Sequence, residues 1–243
     1  MSPDRLDLRA LNRATLARQL LLDRAPLTVL DAVGHLAGLQ AQAPLAPYVG
    51  LWTRLAGFRH QHLKDLMTER AVLRAHLMRN TVHLVDAADF VRFRPLYQPR
   101  MERALAGKFG RNLVGVDLAE LGATAAALLG ETPLTRAELG ARLAPRWPDH
   151  DPAALAYAAG RVIPHRRPVP LPPGHGGCGG TLLVGGWWQA DWKISQGILQ
   201  IRPFSPLSAA DRDAIVAEGE RLLGFAASAT AVRDVRFAPV RSG

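Results

Sequence analysis

Cysteine is nearly absent from this chain, which has 243 residues and a single cysteine, Cys178. One cysteine excludes an intramolecular disulfide and any zinc or iron–sulfur site built on several cysteines. Long apolar runs that could span a bilayer are also missing. The first residues lack the basic-then-apolar order of a signal peptide. We therefore expect a cytoplasmic protein, associated with the nucleoid if it binds DNA, with no membrane contact, no metal and no cofactor.

Acidic residues are scarce, with 21 Asp and Glu against 30 Lys and Arg, and the net charge is +9. The excess is concentrated between Arg54 and Arg111, a stretch with twelve basic and five acidic residues. Clustered positive charge is typical of a protein that binds a polyanion such as nucleic acid. An arginine-rich composition with solvated helix faces would give the same numbers, so composition alone leaves both explanations open.

The N-terminal part combines helical periodicity with one short β-branched stretch. Apolar spacing predicts a run of helices, and the alternation of Thr81–Val85 predicts a strand. Short helices, a longer helix and a strand are the element order of a winged helix-turn-helix. The predicted helices cover 6–24, 28–43 with Thr28 as N-cap, Tyr48–Leu55, His62–Met78 and Ala87–Lys108.

A second helical region follows over residues 118–160. Helices are predicted over Ala119–Leu129 and Ala153–Ala159, with a turn between them. In that turn Thr135 and Glu138 have the spacing of a capping box, which marks a further helix start. The order of helix, tight turn and helix is again that of a helix-turn-helix, although such repeats also occur in proteins that do not bind DNA.

Residues 166–180 are dense in proline and glycine, which predicts an extended or disordered linker. His165, His175 and Cys178 lie around it, but their spacing fits no standard zinc pattern. Beyond the linker the sequence predicts three strands and one helix capped by Ser208, followed by an extended end. These elements cover Thr181–Gln189, Asp191–Ile194, Ile198–Pro203, Ser208–Phe225 and Val235–Pro239.

Three tryptophans, Trp187, Trp188 and Trp192, fall in the predicted C-terminal strands. We expect them in the core of the small sheet, with a stacking platform for unpaired bases as the alternative. The expected fold is mainly α with small β-wings, as tandem winged helix-turn-helix regions and a C-terminal β-rich segment with one helix. The expected divisions are 5–115, 116–165, the linker 166–180, and 181–243.

Two glutamines two residues apart, Gln40 and Gln42, stand before Pro44. In an α-helix, residues i and i+2 point in nearly opposite directions, so the two amides would not share a helix face. Pro44 disfavours the helical conformation at Ala43 and predicts a helix end there. Both carboxamides could then converge at a helix exit. The plain alternative is a pair of solvated amides.

Several segments together resemble the bacterial YcaQ/AlkZ family of winged-helix DNA glycosylases, over about residues 5–165 and 181–240. Members of that family excise alkylated purines, and some unhook interstrand crosslinks. Their catalytic signature is Gln-x-Gln in the AlkZ-like branch and Gln-x-Asp in the YcaQ-like branch, so this chain resembles the AlkZ-like branch. The matching segments are Gly38–Pro44, Pro47–Phe58, Leu77–Val85, Arg202–Ser208 and Glu218–Leu223.

The resemblance implies that Gln40 and Gln42 are catalytic and that double-stranded DNA is the partner of a monomer. It implies that Arg79 faces phosphate and His83 the lesion. A surface arginine and a strand histidine bonded to the backbone are the alternatives for these two. The full set of expected DNA-contacting residues is Arg54, Arg74, Arg79, Asn80 and His83.

The sequence departs from the family between Ile163 and Thr181, where longer relatives carry a further winged helix. We expect an internally shortened family member that lacks one arm of the DNA clamp. Three functions follow as hypotheses: a monofunctional glycosylase for cationic alkylpurines or crosslinks, a non-catalytic winged-helix DNA-binding protein, and an inactive remnant.

Overall fold

A computed structural model of the chain describes residues 7–132, 134–162, 178–185 and 187–240. Most of the expected linker, with His165 and His175, lies outside the described residues. The fold is mainly helical with small sheets, which confirms the expected class. Its elements are α1 (Leu8–Arg18), α2 (Val29–His35), β1 (Leu39–Gln40), α3 (Ala46–Trp52), α4 (His60–Thr68), β2 (Val72–His76), β3 (Val82–Asp86), α5 (Ala87–Phe109), α6 (Leu118–Glu131), α7 (Arg136–Leu143), α8 (Pro152–Val162), β4 (Cys178–Val184), β5 (Trp187–Ser195), β6 (Ile198–Pro203), α9 (Ala209–Ala226) and β7 (Asp234–Phe237).

Side-chain caps fix where many of these helices begin. Asp86 and Asp117 accept hydrogen bonds from backbone amides in the first turns of α5 and α6. The predicted capping box of α7 is confirmed, because Thr135 Oγ1 accepts from the amide of Glu138 and the Glu138 carboxylate accepts from the amide of Thr135. Ser208 caps α9, also as predicted. Each cap satisfies amides that the helix itself leaves unbonded, and is worth about 1 kcal/mol.

The described residues form two compact units, which we call the central unit and the terminal unit. The central unit comprises 33–40 and 64–162, and the terminal unit comprises 7–32, 41–63 and the described residues from 178 onward. The division expected from the sequence, at residues 115, 165 and 180, stays a prediction.

The central unit contains a three-stranded antiparallel sheet in the order β1-β3-β2. One face of the sheet packs against α5, where Leu73, Val85 and Phe90 are buried together. The remaining helices, α6 to α8, enclose a second core with buried leucines from each helix, among them Leu121, Leu143 and Leu155.

The terminal unit contains a four-stranded sheet in the order β4-β5-β6-β7. Its first three strands are antiparallel, and β7 runs parallel to β6. Helix α9 connects β6 to β7 and buries Leu222 and Leu223 in one cluster with Leu199 and Ile201. Val49 of α3 is buried in the same cluster. Arg24 pairs with Glu218 of α9 at 2.7 Å.

Four sequence-based element assignments are wrong. The predicted helix His62–Met78 is helix α4 and strand β2, with Arg70 at φ 62° between them. The predicted strand Thr181–Gln189 is the end of β4 and the start of β5, divided after Gly185 at φ 57°. Strand β4 begins at Cys178, inside the expected linker.

The fourth error concerns α2, which ends at His35 rather than at the Gln-Ala-Gln sequence. Its start is as predicted, because the amide of Asp31 donates to Thr28 Oγ1 at 3.1 Å. After His35 the chain turns through Ala37 at φ 51° and Gly38 at φ 110° and enters β1. The glutamines therefore follow a strand and not a helix.

Candidate functional site

Gln40 is the last residue of strand β1, and its side chain is exposed. In the antiparallel register it lies opposite His83 of β3, and Leu39 lies opposite Leu84. Directly opposed residues project to the same face of a sheet, with Cβ atoms about 4.5–5.5 Å apart. Gly38 permits this pairing, because a Cβ atom there would lie 2.9 Å from the carbonyl oxygen of Leu84. The sheet register thus places Gln40 beside His83.

Gln42 lies in the bend that precedes α3 and is exposed, whereas Ala41 before it is fully buried. The exposure of Gln40, the burial of Ala41 and the exposure of Gln42 follow the two-residue period of an extended chain. Pro44 is expected to let both amides converge by ending a helix. The chain before it is extended instead, and both glutamines are exposed.

His83 is 4% exposed, and its position is fixed by a hydrogen bond to the backbone. Nδ1 lies 3.0 Å from the carbonyl oxygen of Thr81. Since a carbonyl only accepts, the neutral ring carries its proton on Nδ1 and donates it, and Nε2 keeps its lone pair. The alternative role, a strand histidine bonded to the backbone, is therefore seen for Nδ1. The other nitrogen, Nε2, belongs to a residue that lies opposite Gln40 in the sheet.

Arg79 and Asn80 form the tip of the β2–β3 hairpin, which is the wing of the central unit. The amide of Thr81 donates to the carbonyl of Met78 at 3.1 Å, and Arg79 and Asn80 between them have φ of 53° and 59°. Two successive positive φ values define a type I′ turn, which favours Asn-Gly at its centre. Arginine at the first central position is strained and exposed. The wing therefore presents a positive charge at an energetic cost.

Arg74 and Arg54 differ from the wing residues in their surroundings. Arg74 lies in the middle of β2, opposite Leu84, and is half-buried. Arg54 donates from Nε to the carbonyl of Gln19 and from an Nη atom to the carbonyl of Gly50, both at 2.9 Å. Burial lowers the pKa of Arg54. These bonds stabilise the terminal unit, and a DNA contact from Arg54 stays a prediction.

The expectation that Trp187 and Trp188 lie in the core of the small sheet is wrong. Trp187 is 49% exposed and Trp188 is 56% exposed, whereas Trp192 packs against the core cluster of the terminal unit. Arg94, on α5, is buried and bonded to Gln98 four residues later, and sequence reasoning missed this pair. The spacing of an arginine and a glutamine one helical turn apart was the only signal available.

Within the described residues, no three His, Cys, Asp or Glu side chains come together as metal ligands. No single helix in that part of the chain has the length and apolarity needed to cross a membrane. Only Ala87–Leu113 and Leu118–Glu131, taken together across a 92° bend, meet the same test by length and composition.

The structure is similar to that of the DNA glycosylase AlkZ from Streptomyces sahachiroi, with a TM-score of 0.73 and 15% sequence identity. The superposition covers 96% of this chain and 100% of that chain. This likeness shows the class of fold, a mainly helical array with wings. The sequence profile of the family described as "DNA glycosylase AlkZ-like" matches residues 33–168, which is more than half of the chain. The chain therefore belongs to the AlkZ-like DNA glycosylase family. No curated protein matches the sequence.

Family membership confirms the resemblance inferred from the sequence and supports a DNA glycosylase role with DNA as the partner. Of the expected site residues, the central sheet brings together Gln40, His83 and the wing residues Arg79 and Asn80. The catalytic role of Gln40 and Gln42 stays a prediction.

Proposed function

We propose that the protein is a monofunctional DNA glycosylase that excises cationic alkylated purines, or unhooks crosslinks made through them, by attack of water on C1′. The observation that carries the proposal is the pairing of Gln40 with His83 in a sheet whose wing carries Arg79. Two hydrogen-bonding side chains belong to directly opposed residues, and Nδ1 of His83 is engaged with the carbonyl of Thr81, which leaves Nε2 as the acceptor of that tautomer.

Neutral groups suit this reaction because of its leaving group. A purine alkylated at N7 is already cationic, so its ring accepts the electron pair of the breaking C1′–N9 bond without protonation. Water then adds to C1′, and its proton passes to an acceptor or to solvent. The Gln40 and Gln42 carbonyl oxygens and the His83 Nε2 atom are acceptors of the kind that orient such a water.

A carboxylate in place of the glutamine pair would act as a stronger base and as a counter-charge for the developing oxocarbenium ion. Amides provide neither. We therefore expect activity on good leaving groups, such as N7-methylguanine, and no activity on undamaged purines.

The test is release of N7-methylguanine from duplex DNA in single-turnover reactions at saturating protein. Gln40→Ala and Gln42→Ala should each slow base release while the dissociation constant for the duplex stays within about twofold of the wild type. Gln200→Ala is the matched control, since Gln200 is an exposed strand glutamine of the β6 strand. Its rate should equal that of the wild type. Base release that both site variants leave unchanged would disprove the assigned site.

The same assay separates the remaining hypotheses. A wild-type protein that binds the duplex and releases no base would be a non-catalytic DNA-binding protein. A remnant that does not fold would show no cooperative thermal transition, so a sharp melting curve with a defined midpoint argues against that hypothesis.

A further inference from the structure

Helix α8 is the third helix of the second helical region, the position of a recognition helix in a helix-turn-helix. From Pro152 to Gly160 its residues are mostly alanine, and Leu155 and several alanines are fully buried. Tyr157 has the only side chain in this stretch that can donate a hydrogen bond. Base-edge recognition requires several side-chain donors and acceptors in the groove. This stretch of α8 therefore has no means of reading a base sequence.

Two cations converge on that tyrosine instead. Lys108 Nζ lies 4.9 Å from the ring centre of Tyr157, and Arg136 Cζ lies 5.7 Å from it. Phe109 extends the aromatic surface, with its ring centre 4.6 Å from that of Tyr157. The three elements α5, α7 and α8 thus each contribute one residue to a single cationic and aromatic cluster. We call Lys108, Arg136 and Tyr157 the α8 cluster.

The charges of the α8 cluster are not neutralised by acids in the described part of the chain. Arg146, by contrast, pairs with Glu120. Neither Lys108 nor Arg136 has a described carboxylate within salt-bridge distance, and both are exposed. The ring face attracts each cation by about 0.5–1 kcal/mol at such a site, which leaves both positive charges open to an anion.

The N-terminus of α7 does not supply this anion site, although Arg136 is its first residue. The Thr135 hydroxyl and the Glu138 carboxylate already accept from the amides of Glu138 and Thr135 there. The hydrogen bonds with Thr135 lower the pKa of Glu138, which keeps that carboxylate charged and in place. An anion bound here would therefore contact the side chains of the α8 cluster.

We propose that the α8 cluster binds the phosphate backbone of DNA and gives the protein a second, sequence-independent contact outside the β1–β3 sheet. The proposal rests on the proposed function only in that duplex DNA is the ligand. Lys108 and Arg136 donate to phosphate oxygens, and Tyr157 holds the two side chains in place. Such contacts position a duplex without reading its sequence.

The experiment compares the salt dependence of binding to an undamaged duplex for the wild type and the double variant Lys108→Gln/Arg136→Gln. Each phosphate contact contributes a slope of about −0.9 to log K against log salt, so the double variant should lose about 1.8 of the slope. Arg146→Gln/Arg236→Gln is the matched control. It removes the same charge from exposed arginines that already pair with Glu120 and Asp234.

The control variant should lose less than half as much slope. An unchanged slope in the Lys108 and Arg136 variant, or an equal loss in the control, would overturn the proposal. Tyr157→Leu, which keeps both charges, should weaken binding by a smaller factor. If the wild type released no base, the proposed glycosylase function would be wrong. The comparison of salt slopes would still test whether the α8 cluster binds phosphate.

Discussion

A substitution at Arg79, in the strained turn of the wing, should change the stability of the protein and its DNA binding in opposite directions. Arg79 has φ 53° and ψ 21°, and a residue with a Cβ atom in this left-handed region costs about 1–2 kcal/mol. Asparagine tolerates the region well and is preferred at the first central position of a type I′ turn. We expect Arg79→Asn to raise the free energy of unfolding by about 0.5–1 kcal/mol. For a chain of this size that is about 1–4 °C in Tm.

The same substitution removes the exposed positive charge at the hairpin tip. If Arg79 contacts one phosphate, the slope of log K against log salt should fall by about 0.9. Duplex affinity at low salt should fall several-fold, although the protein is more stable. Thermal melting by circular dichroism and fluorescence anisotropy with a labelled duplex measure the two effects separately.

Asn80→Gly is the matched control for this prediction. Asn80 has φ 59° at the second central position, where glycine is favoured, and the substitution changes no charge. It should also stabilise the protein, and because it removes no charge it should leave the slope of log K against log salt unchanged. A lower Tm for Arg79→Asn together with unchanged affinity would refute the reasoning, because the arginine would then serve the fold and not DNA.

Three further predictions concern other parts of the structure. His83→Phe should slow base release about 5- to 160-fold in single-turnover assays at saturating protein, since one acceptor is worth about 1–3 kcal/mol. His83→Gln should recover part of the rate, and equal rates for all three proteins would contradict the role. Gly140→Ala should destabilise the protein by about 1–3 kcal/mol in denaturant melts, because the new Cβ would lie 2.6 Å from a carbonyl oxygen of α8. Gly107→Ala, with open space around the new Cβ, should be neutral or stabilising. Burial lowers the pKa of His60, whose ring stacks on Phe225 at 3.9 Å. A group with a depressed pKa binds its proton more tightly when unfolded, so stability should fall as pH drops below about 6.5, and His60→Phe should reduce that fall in Tm measured between pH 7.5 and 5.5.

Helix starts could be predicted because their signals are local. Thr135, Glu138 and Ser208 each act through backbone atoms within three residues, so the sequence contains the whole interaction. The start of α5 at Ala87 is equally local, with Asp86 as its cap. Such elements form from their own residues whatever packs against them later.

The end of α4 could not be predicted, because the residue that ends it is atypical. A positive φ after a helix usually marks a glycine, but here Arg70 adopts it, and the amide of Ala71 donates to the carbonyl of Leu66 at 2.9 Å. The apolar residues that follow fit a helical stripe and a strand equally well. Pairing with β3, across the hairpin that turns at Arg79 and Asn80, decides in favour of a strand.

The candidate site was predicted in residue identity but not in geometry. Gly38 before Leu39 is the signal in the sequence that α2 ends early. Pro44, six residues later, is the stronger helix breaker and points to a later end. That Gln40 lies opposite His83 depends on strand register, which no spacing along the chain encodes. The register therefore had to be read from the structure.

The ion pair between Arg24 and Glu218 joins residues 194 positions apart. Together with the cluster that buries Val49 beside Ile201, it means that the terminal unit is assembled from the earliest and latest parts of the chain. During synthesis the central unit is complete once α8 has left the ribosome, whereas α3 must wait for β6 and α9 before its apolar side is covered. Contacts of such separation slow folding and prolong the exposure of apolar surface. Among the described helices, α3 therefore keeps its apolar side exposed until the last strands and α9 have been made.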